Sequence, residues 1–395
     1  MDDINTSQRE LGTALLSPGA ELSGEPPDLR QFIQVLADAG RLVRVKEATD
    51  WKLEIGRITR ECRTPLLYEN IKGYPGQRVF TNGLCDIAST SLALGLGCGA
   101  TRKALIENAK RRMVRPIKPK LVNNGPVLEN IVDAEDIDLL KLPVPQWSNQ
   151  DGGRYLGTWH INVTKDPESG SRNVGVYRMQ LLGPRRATVS ASPRSHLSQH
   201  VAKAERSGQA LPMAIAIGVS EPLVMAAAAA YPAGMDEYDL AGGLQQQALK
   251  LISCRTVDLE VPARSEIVIE GLIQPEVRVQ DGPYFDYAGK PNTNPNAFLF
   301  VATRLMFRNN PIFRGASIGL PGTEDHQLFA FLAELGLVDF HGSRIKQSAQ
   351  RFLLKCRFFR TFQFVGKMGA AVHGRLGSDR YPCASPHPVC VDIRK

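Results

Sequence analysis

The sequence has no apolar run approaching the roughly 20 residues that span a bilayer as a helix. Its Met-Asp-Asp start has no basic segment leading into an apolar stretch, so no secretory signal is expected and the cytoplasm is the expected compartment. Cysteine is sparse: Cys62, Cys85, Cys98, Cys254, Cys356, Cys383 and Cys390 are scattered, odd in number and never spaced Cys-x-x-Cys. This argues against a disulfide framework and against structural zinc. No GxGxxG occurs. Gly95-Leu-Gly-Cys-Gly99 has the wrong spacing and no acidic residue closes a following strand, so it reads as turn chemistry. Nucleic-acid signatures are also missing despite the formal charge of +8. The densest basic stretch, Lys110-Arg-Arg-Met-Val-Arg115 with Lys118 and Lys120, has no interleaved aromatics. It closes a helix opened by Thr101, where cations complement the helix dipole, and reads as a solvated end or a site for an anionic partner.

What is present is an ordinary globular composition, 43% hydrophobic and 22% charged over 395 residues, enough for two or three cored domains. Residues 1–27 are polar and read as a flexible lead-in. Residues 28–125 alternate helix and strand, which predicts an N-terminal α/β domain. There Asp28 caps a helix to residue 39 and Gly40 stops it. Strands follow at 42–45, 65–71 and 78–83, with helices at 53–62, 86–95 and 101–115. Residues 126–320 are mainly strand (211–219, 256–261, 266–273, 297–307), interrupted by an Ala-rich helix at 222–230 and by a segment at 236–252. From 321 an α/β pattern resumes with an amphipathic helix at 325–335, then a divergent tail to 395.

The stretch that organises the middle of the chain ends in Asn173-Val-Gly-Val-Tyr-Arg178. Alternating runs at 155–164 and 173–182 flank Lys165-Asp-Pro-Glu-Ser-Gly170, which predicts a hairpin. Alternation puts Asn173, Gly175 and Tyr177 on one face, and Val174, Val176 and Arg178 on the other. An Arg beside two valines needs an anionic partner, because a half-buried guanidinium keeps its charge. Asp281 and Asp286, across a Gly-Pro turn in Gln280-Asp-Gly-Pro-Tyr-Phe-Asp286, are a carboxylate pair able to hold different pKa values. Asn173, His196 and Glu237 form a dispersed hard-ligand set suited to manganese or magnesium. A rival is Gly315-Ala-Ser-Ile-Gly319, a literal GxSxG whose Ser317, with Asp339 and His373 in the required order, would make an esterase.

Several longer stretches resemble one family. They are Leu139-Leu-Lys-Leu-Pro-Val-Pro145, Asp151-Gly-Gly-Arg-Tyr-Leu-Gly-Thr158, the hairpin turn and its second strand, Glu237-Tyr-Asp-Leu-Ala-Gly242, Asp281-Gly-Pro-Tyr-Phe-Asp286 and Leu337-Val-Asp-Phe-His-Gly-Ser343. In this order, over roughly residues 28–370, the sequence resembles the UbiD-like decarboxylases that use prenylated FMN. The resemblance implies a multidomain α+β fold: an N-terminal α/β domain, a central split β-barrel like the FMN-binding flavin reductases, and a C-terminal α/β domain that this chain would hold incompletely. It implies reversible non-oxidative decarboxylation of an aromatic, heteroaromatic or α,β-unsaturated acid. The cofactor would contact Asn173, Val176, Tyr177, Arg178, His196 and Glu237. Asn173, His196 and Glu237 would hold the metal, with potassium as a further cation. Arg178 would orient the substrate carboxylate between Asp281 and Asp286, with Asp286 as proton donor, its pKa raised by burial, and Asp281 ionised. A flavin prenyltransferase would supply the cofactor. A homo-oligomer is expected, through an apolar face at 328–337. The alternative within the family is an impaired member that binds flavin or serves as a partner subunit. Asp281 stands where the family has Glu, and Phe285 where it has Gly.

Overall fold

The computed structural model describes residues 27–229, 231, 235–320 and 322–336. They fall in one compact unit through Ala330, and a second begins at Phe331. Asp339 and His373 lie outside the described residues, as does the end of the apolar face at 328–337. No helix among the described residues is long and apolar enough to cross a membrane.

The N-terminal segment follows its local signals. Asp28 accepts from the Gln31 amide and Gln31 Oε1 accepts from the Asp28 amide, a reciprocal capping box that opens the helix Leu29–Asp38. Leu29, Phe32, Ile33 and Leu36 bury one stripe of it, and Gly40, at φ 66°, turns the chain away. The expected helices are Glu54–Glu61, Ile87–Ala93 and Arg102–Met113. The small sheet beside them runs Val43–Val45, Leu66–Tyr68, Arg78–Thr81 and Ile312–Arg314. Its fourth strand arrives from more than 200 residues away to pair parallel with Arg78–Phe80.

The large sheet has seven strands: β1 (Asn130–Asp133), β2 (His160–Lys165), β3 (Arg172–Gly175), β4 (Arg186–Val189), β5 (Leu211–Ile217), β6 (Ile267–Phe285) and β7 (Pro291–Phe307). Its order is β4-β7-β6-β5-β2-β3, with β1 pairing β7 beyond the end of β4. Register shifts along the β6–β7 ribbon bend it, and the sheet curls into an open half-barrel. β2 and β3 are the expected hairpin, but its strands are shorter than their alternation suggests. The chain leaves β3 after Gly175, and Met179–Gln180 pairs instead with Tyr155–Gly157. Asp281 also sits inside the long strand β6 rather than on a loop. The expected strand at 256–261 forms only as Glu260–Pro262, paired with Lys250–Ser253. One apolar core joins both sheets, from Ile55, Leu66 and Val79 through Trp147 and Phe313 to Ile215, Ile269 and Phe300.

Two arginines tie these layers. Arg314, 1% exposed, donates from Nε to Glu221 Oε1 at 2.8 Å and from Nη1 to Glu324 Oε2 at 3.1 Å, and Nη2 reaches Glu324 Oε1. Glu221 also accepts from Trp159 Nε1 at 2.9 Å, and Glu324 from the Leu84 amide. The basic run at 110–115 is not wholly a solvated helix end. Arg112 is buried and donates to Leu94 O at 2.7 Å and Leu244 O at 2.8 Å. Those carbonyls end the helices Ile87–Ala93 and Glu237–Gln245, so the cation sits at two negative helix termini.

Arg314→Met leaves two buried carboxylates unpaired. It is expected to cost roughly 3–5 kcal/mol, read as a lowered urea midpoint. Restoring apolar neutrality with Glu221→Gln and Glu324→Gln in the same chain should recover much of that loss. An unchanged midpoint in the single variant would show that the cluster does not stabilise the fold.

Candidate active site

A cavity of about 530 Å³ opens beside the β3 edge. Around it the structure gathers Asn173, Val176, Tyr177, Arg178, His196, Glu237 and Asp286 from segments that are far apart in sequence. Trp159, Val224, Ala227, Tyr284, Ile318, Leu328 and Phe329 supply its apolar wall. This volume and mixture suit a cofactor-sized ligand. Asp281 does not line the cavity. It lies behind Arg178, fully buried.

β3 is the last strand of the sheet, so one of its edges has amides with no neighbouring strand. Glu237 meets that need: its Oε2 accepts from the Val174 amide at 3.0 Å. Asp236 caps the helix that Glu237 opens, and Arg172 pins that cap by donating to Asp236 Oδ2 at 2.7 Å and to Glu260 Oε2 at 2.8 Å. Burial pushes the Glu237 carboxyl up to about 7. A buried carboxylate in this state gains from a nearby cation. Asn173 directs its amide NH₂ to the Tyr177 hydroxyl at 3.4 Å, leaving the amide oxygen as an acceptor. His196 opens the helix His196–Arg206 behind the N-cap Ser195. The next histidine on that face, His200, bonds Thr164 through Nδ1 at 3.0 Å. Among the described residues, no group of three His, Cys, Asp or Glu side chains is placed to hold a metal ion by itself. A divalent cation between His196 and Glu237 would therefore need the Asn173 oxygen and a ligand oxygen. A phosphate-bearing cofactor provides one, so the donor set fits.

Arg178 has the anion that its position demands. Its Nε donates to Asp281 Oδ1 at 2.5 Å, and its guanidinium carbon lies 5.3 Å from the centre of the Tyr284 ring. Asp281 Oδ2 accepts from Thr188 Oγ1 at 2.6 Å. The expected division of the two acids is reversed in burial. Asp281 is the enclosed one, and desolvation raises its pKa against the lowering effect of Thr188 and Arg178. Asp286 is half-buried at the cavity, accepting from the Ala288 amide at 2.9 Å and from Asn292 Nδ2 at 3.0 Å. The reason is that β6 carries Asp281 into the sheet and ends before Asp286.

Three supports escaped the sequence reading. Thr188 fixes Asp281 from β4, Gln180 Oε1 accepts from the Gly282 amide at 2.9 Å, and Asp151 accepts from the Phe285 amide at 2.8 Å. Burial raises Asp151 to about 6. Asp151 lies in the Asp-Gly-Gly-Arg motif and was within reach of sequence reasoning, whereas Thr188 is an ordinary strand residue.

The GxSxG reading is overturned. Ser317 is 1% exposed and accepts from Arg60 Nη1 at 2.6 Å. No helix follows it directly, since the next begins at Glu324, so the strand–turn–helix elbow is absent. Both glycines are there for packing. A Cβ on Gly315 would lie 2.4 Å from the Trp147 ring, and one on Gly319 would lie 2.6 Å from Asp286 O.

Comparison with known proteins places this geometry. The family described as 3-octaprenyl-4-hydroxybenzoate carboxy-lyase matches through its N-terminal domain at residues 33–109 and its Rift-related domain at 120–321. A phenolic acid decarboxylase of Streptomyces sp. (strain D7) is 33% identical, over 75% of this chain and 65% of its own length. A pyrrole-2-carboxylic acid decarboxylase of Pseudomonas aeruginosa is also 33% identical, over 79% and 66%. The chain thus spans just under two thirds of these curated relatives. Among solved structures, the UbiD-class enzyme HmfF from Pelotomaculum thermopropionicum in complex with FMN superposes with a TM-score of 0.73 at 33% identity, covering 79% of this chain and 69% of that one. With two family domains matched across most of the described residues, the chain belongs to the UbiD family.

Proposed function

We propose that this chain forms the cofactor- and substrate-binding part of a decarboxylase. Its substrate would be an aromatic or heteroaromatic carboxylic acid, and its cofactor prenylated FMN held by manganese or magnesium. The observation that carries this reading is a single cavity lined at once by a fixed guanidinium, a carboxyl group and a hard-ligand set. The named activities of the relatives, on phenolic and pyrrole-2-carboxylic acids, support the substrate class.

Bound prenylated FMN would supply an electron sink for the carbon that loses carbon dioxide. The chain's own residues do the rest. Asn173, His196 and Glu237 would hold a divalent cation and, through it, the phosphate-bearing cofactor, with Val176 and Tyr177 in the wall beside them. Asp281 and Thr188 fix Arg178 from behind, so its planar fork meets the substrate carboxylate in one orientation. As the carbon–carbon bond breaks and carbon dioxide leaves, the carbon needs a proton. Asp286 delivers it, because Asp281 is shut behind Arg178. The apolar wall excludes water from the reacting carbon.

Three outcomes follow from these roles. Glu237→Ala should lose cation and cofactor after co-expression with a flavin prenyltransferase, while its melting temperature stays near the parent's; equal retention would remove Glu237 from the metal site. In the parent, a proton competes with the cation for Glu237. Because that carboxyl is raised to about 7, manganese affinity should weaken below pH 7, by up to about tenfold per unit, and level off above it. A titration that is flat from pH 8 to pH 6 would contradict the assignment. Arg178→Lys and Asp286→Asn should keep the cofactor but slow carbon dioxide release by about a hundredfold or more. Parent-rate deuterium exchange at the product carbon in Asp286→Asn would assign the donor elsewhere.

A further inference from the structure

One buried histidine has no part in the roles above. His326 lies in the first turns of the helix Glu324–Gly336, 9% exposed. Its Nδ1 lies 2.6 Å from Leu320 O, and its Nε2 lies 3.0 Å from Tyr287 O. Both partners are backbone carbonyls, which only accept. The ring thus reaches acceptors on two different segments, with Thr323 Oγ1 3.5 Å from Nδ1 as a further neighbour. Tyr287 follows Asp286 in the turn that closes the β6–β7 ribbon. Leu320 ends the segment whose Gly319 packs against Asp286 O.

The same corner is reinforced from several sides. The His326 ring meets the Tyr287 ring edge-on with centroids 4.4 Å apart, and the Phe329 ring also meets Tyr287 edge-on at 5.0 Å. Within the turn, the Gly289 amide donates to Asp286 O at 2.9 Å and the Asp286 amide to Lys290 O at 3.2 Å. Asp325 interacts with His326 on its own helix, and Tyr287 meets it from the ribbon, where Asp286 is the preceding residue. Glu324 is committed to Arg314. Asp325 bonds Thr323 Oγ1 at 2.6 Å, leaving its negative charge beside the ring.

We propose that His326 is a positioning residue for the proton donor: its two ring nitrogens meet the Leu320 and Tyr287 carbonyls, tie the two segments together and so hold Asp286 at the cavity. This rests on the proposed function for the donor role of Asp286, but the latch itself can be measured without turnover. Hydrogen–deuterium exchange of the Asp286 and Gly289 amides in the full chain reads it directly. His326→Gln, which can donate to only one of the two carbonyls, should exchange at those amides about tenfold faster, with core strand β5 unchanged. His326→Phe, which keeps a ring but has no donor, should show the same local loss of protection. Unchanged exchange in the variant overturns the latch. If the Gln variant fails to fold, His326→Phe decides: faster exchange confined to the turn supports the latch, and unchanged exchange overturns it. In cofactor-loaded protein the variant should lower kcat without releasing cofactor. A parent that never decarboxylates would defeat the functional reading while leaving the exchange result to stand or fall alone.

Discussion

The buried Glu221–Arg314–Glu324 cluster is the constraint on which the arrangement depends. Arg314 is the last residue of the strand that completes the small N-terminal sheet. Glu221 opens the helix after β5, and Glu324 opens the helix that carries His326. Glu221 lies 93 residues before Arg314, and Glu324 only ten after it, so the helix after β5 must meet this distant strand and helix before the charges are compensated. Two carboxylates around one guanidinium leave an excess of negative charge, and burial raises the pKa of Glu324 in response. The Leu84 amide and the Trp159 indole share the load. Such a cluster adds little net stability over an apolar replacement, but it penalises every arrangement that separates its members. Trp159 also lines the cavity, so the fold and the site share a wall.

At the site the same logic appears at smaller scale. A strand edge with spare amides draws in Glu237, and a half-buried guanidinium draws in Asp281. In both cases a polar group that burial would strand finds its partner on a different element, and that pairing fixes a functional atom. Arg112, capping two helix ends, ties the helix of Glu237 to the N-terminal helices in the same way. Asp281 is fixed inside the sheet, whereas Asp286 meets the cavity from the turn beyond the end of β6.

Much of this was legible beforehand. Asp28, Thr101 and Gly40 announced helix ends because capping is local chemistry, decided within three or four residues. The hairpin was legible from its Pro and Gly turn, and the need for an anion at Arg178 from the valines beside it. The misread features share one cause. The extension of β6 through Asp281, the early end of β3, and the burial of Arg112 and Ser317 all depend on partners far along the chain. The GxSxG pentapeptide looked like an elbow because sequence shows spacing and not the packing of Trp147 or Asp286 against its glycines.

The sequence by itself determined the helix caps, the hairpin, the absence of a long apolar span, and, through its motifs, the family and the residues gathered at the cavity. These are set by neighbours within a few positions or by long ordered motifs. Only the tertiary structure decided which acid is enclosed, that Thr188 and Asp151 support the site, that Ile312–Arg314 joins the N-terminal sheet, and that His326 bridges two loops. Burial and hydrogen-bond partnership are properties of surroundings assembled from remote segments, and no local pattern carries them.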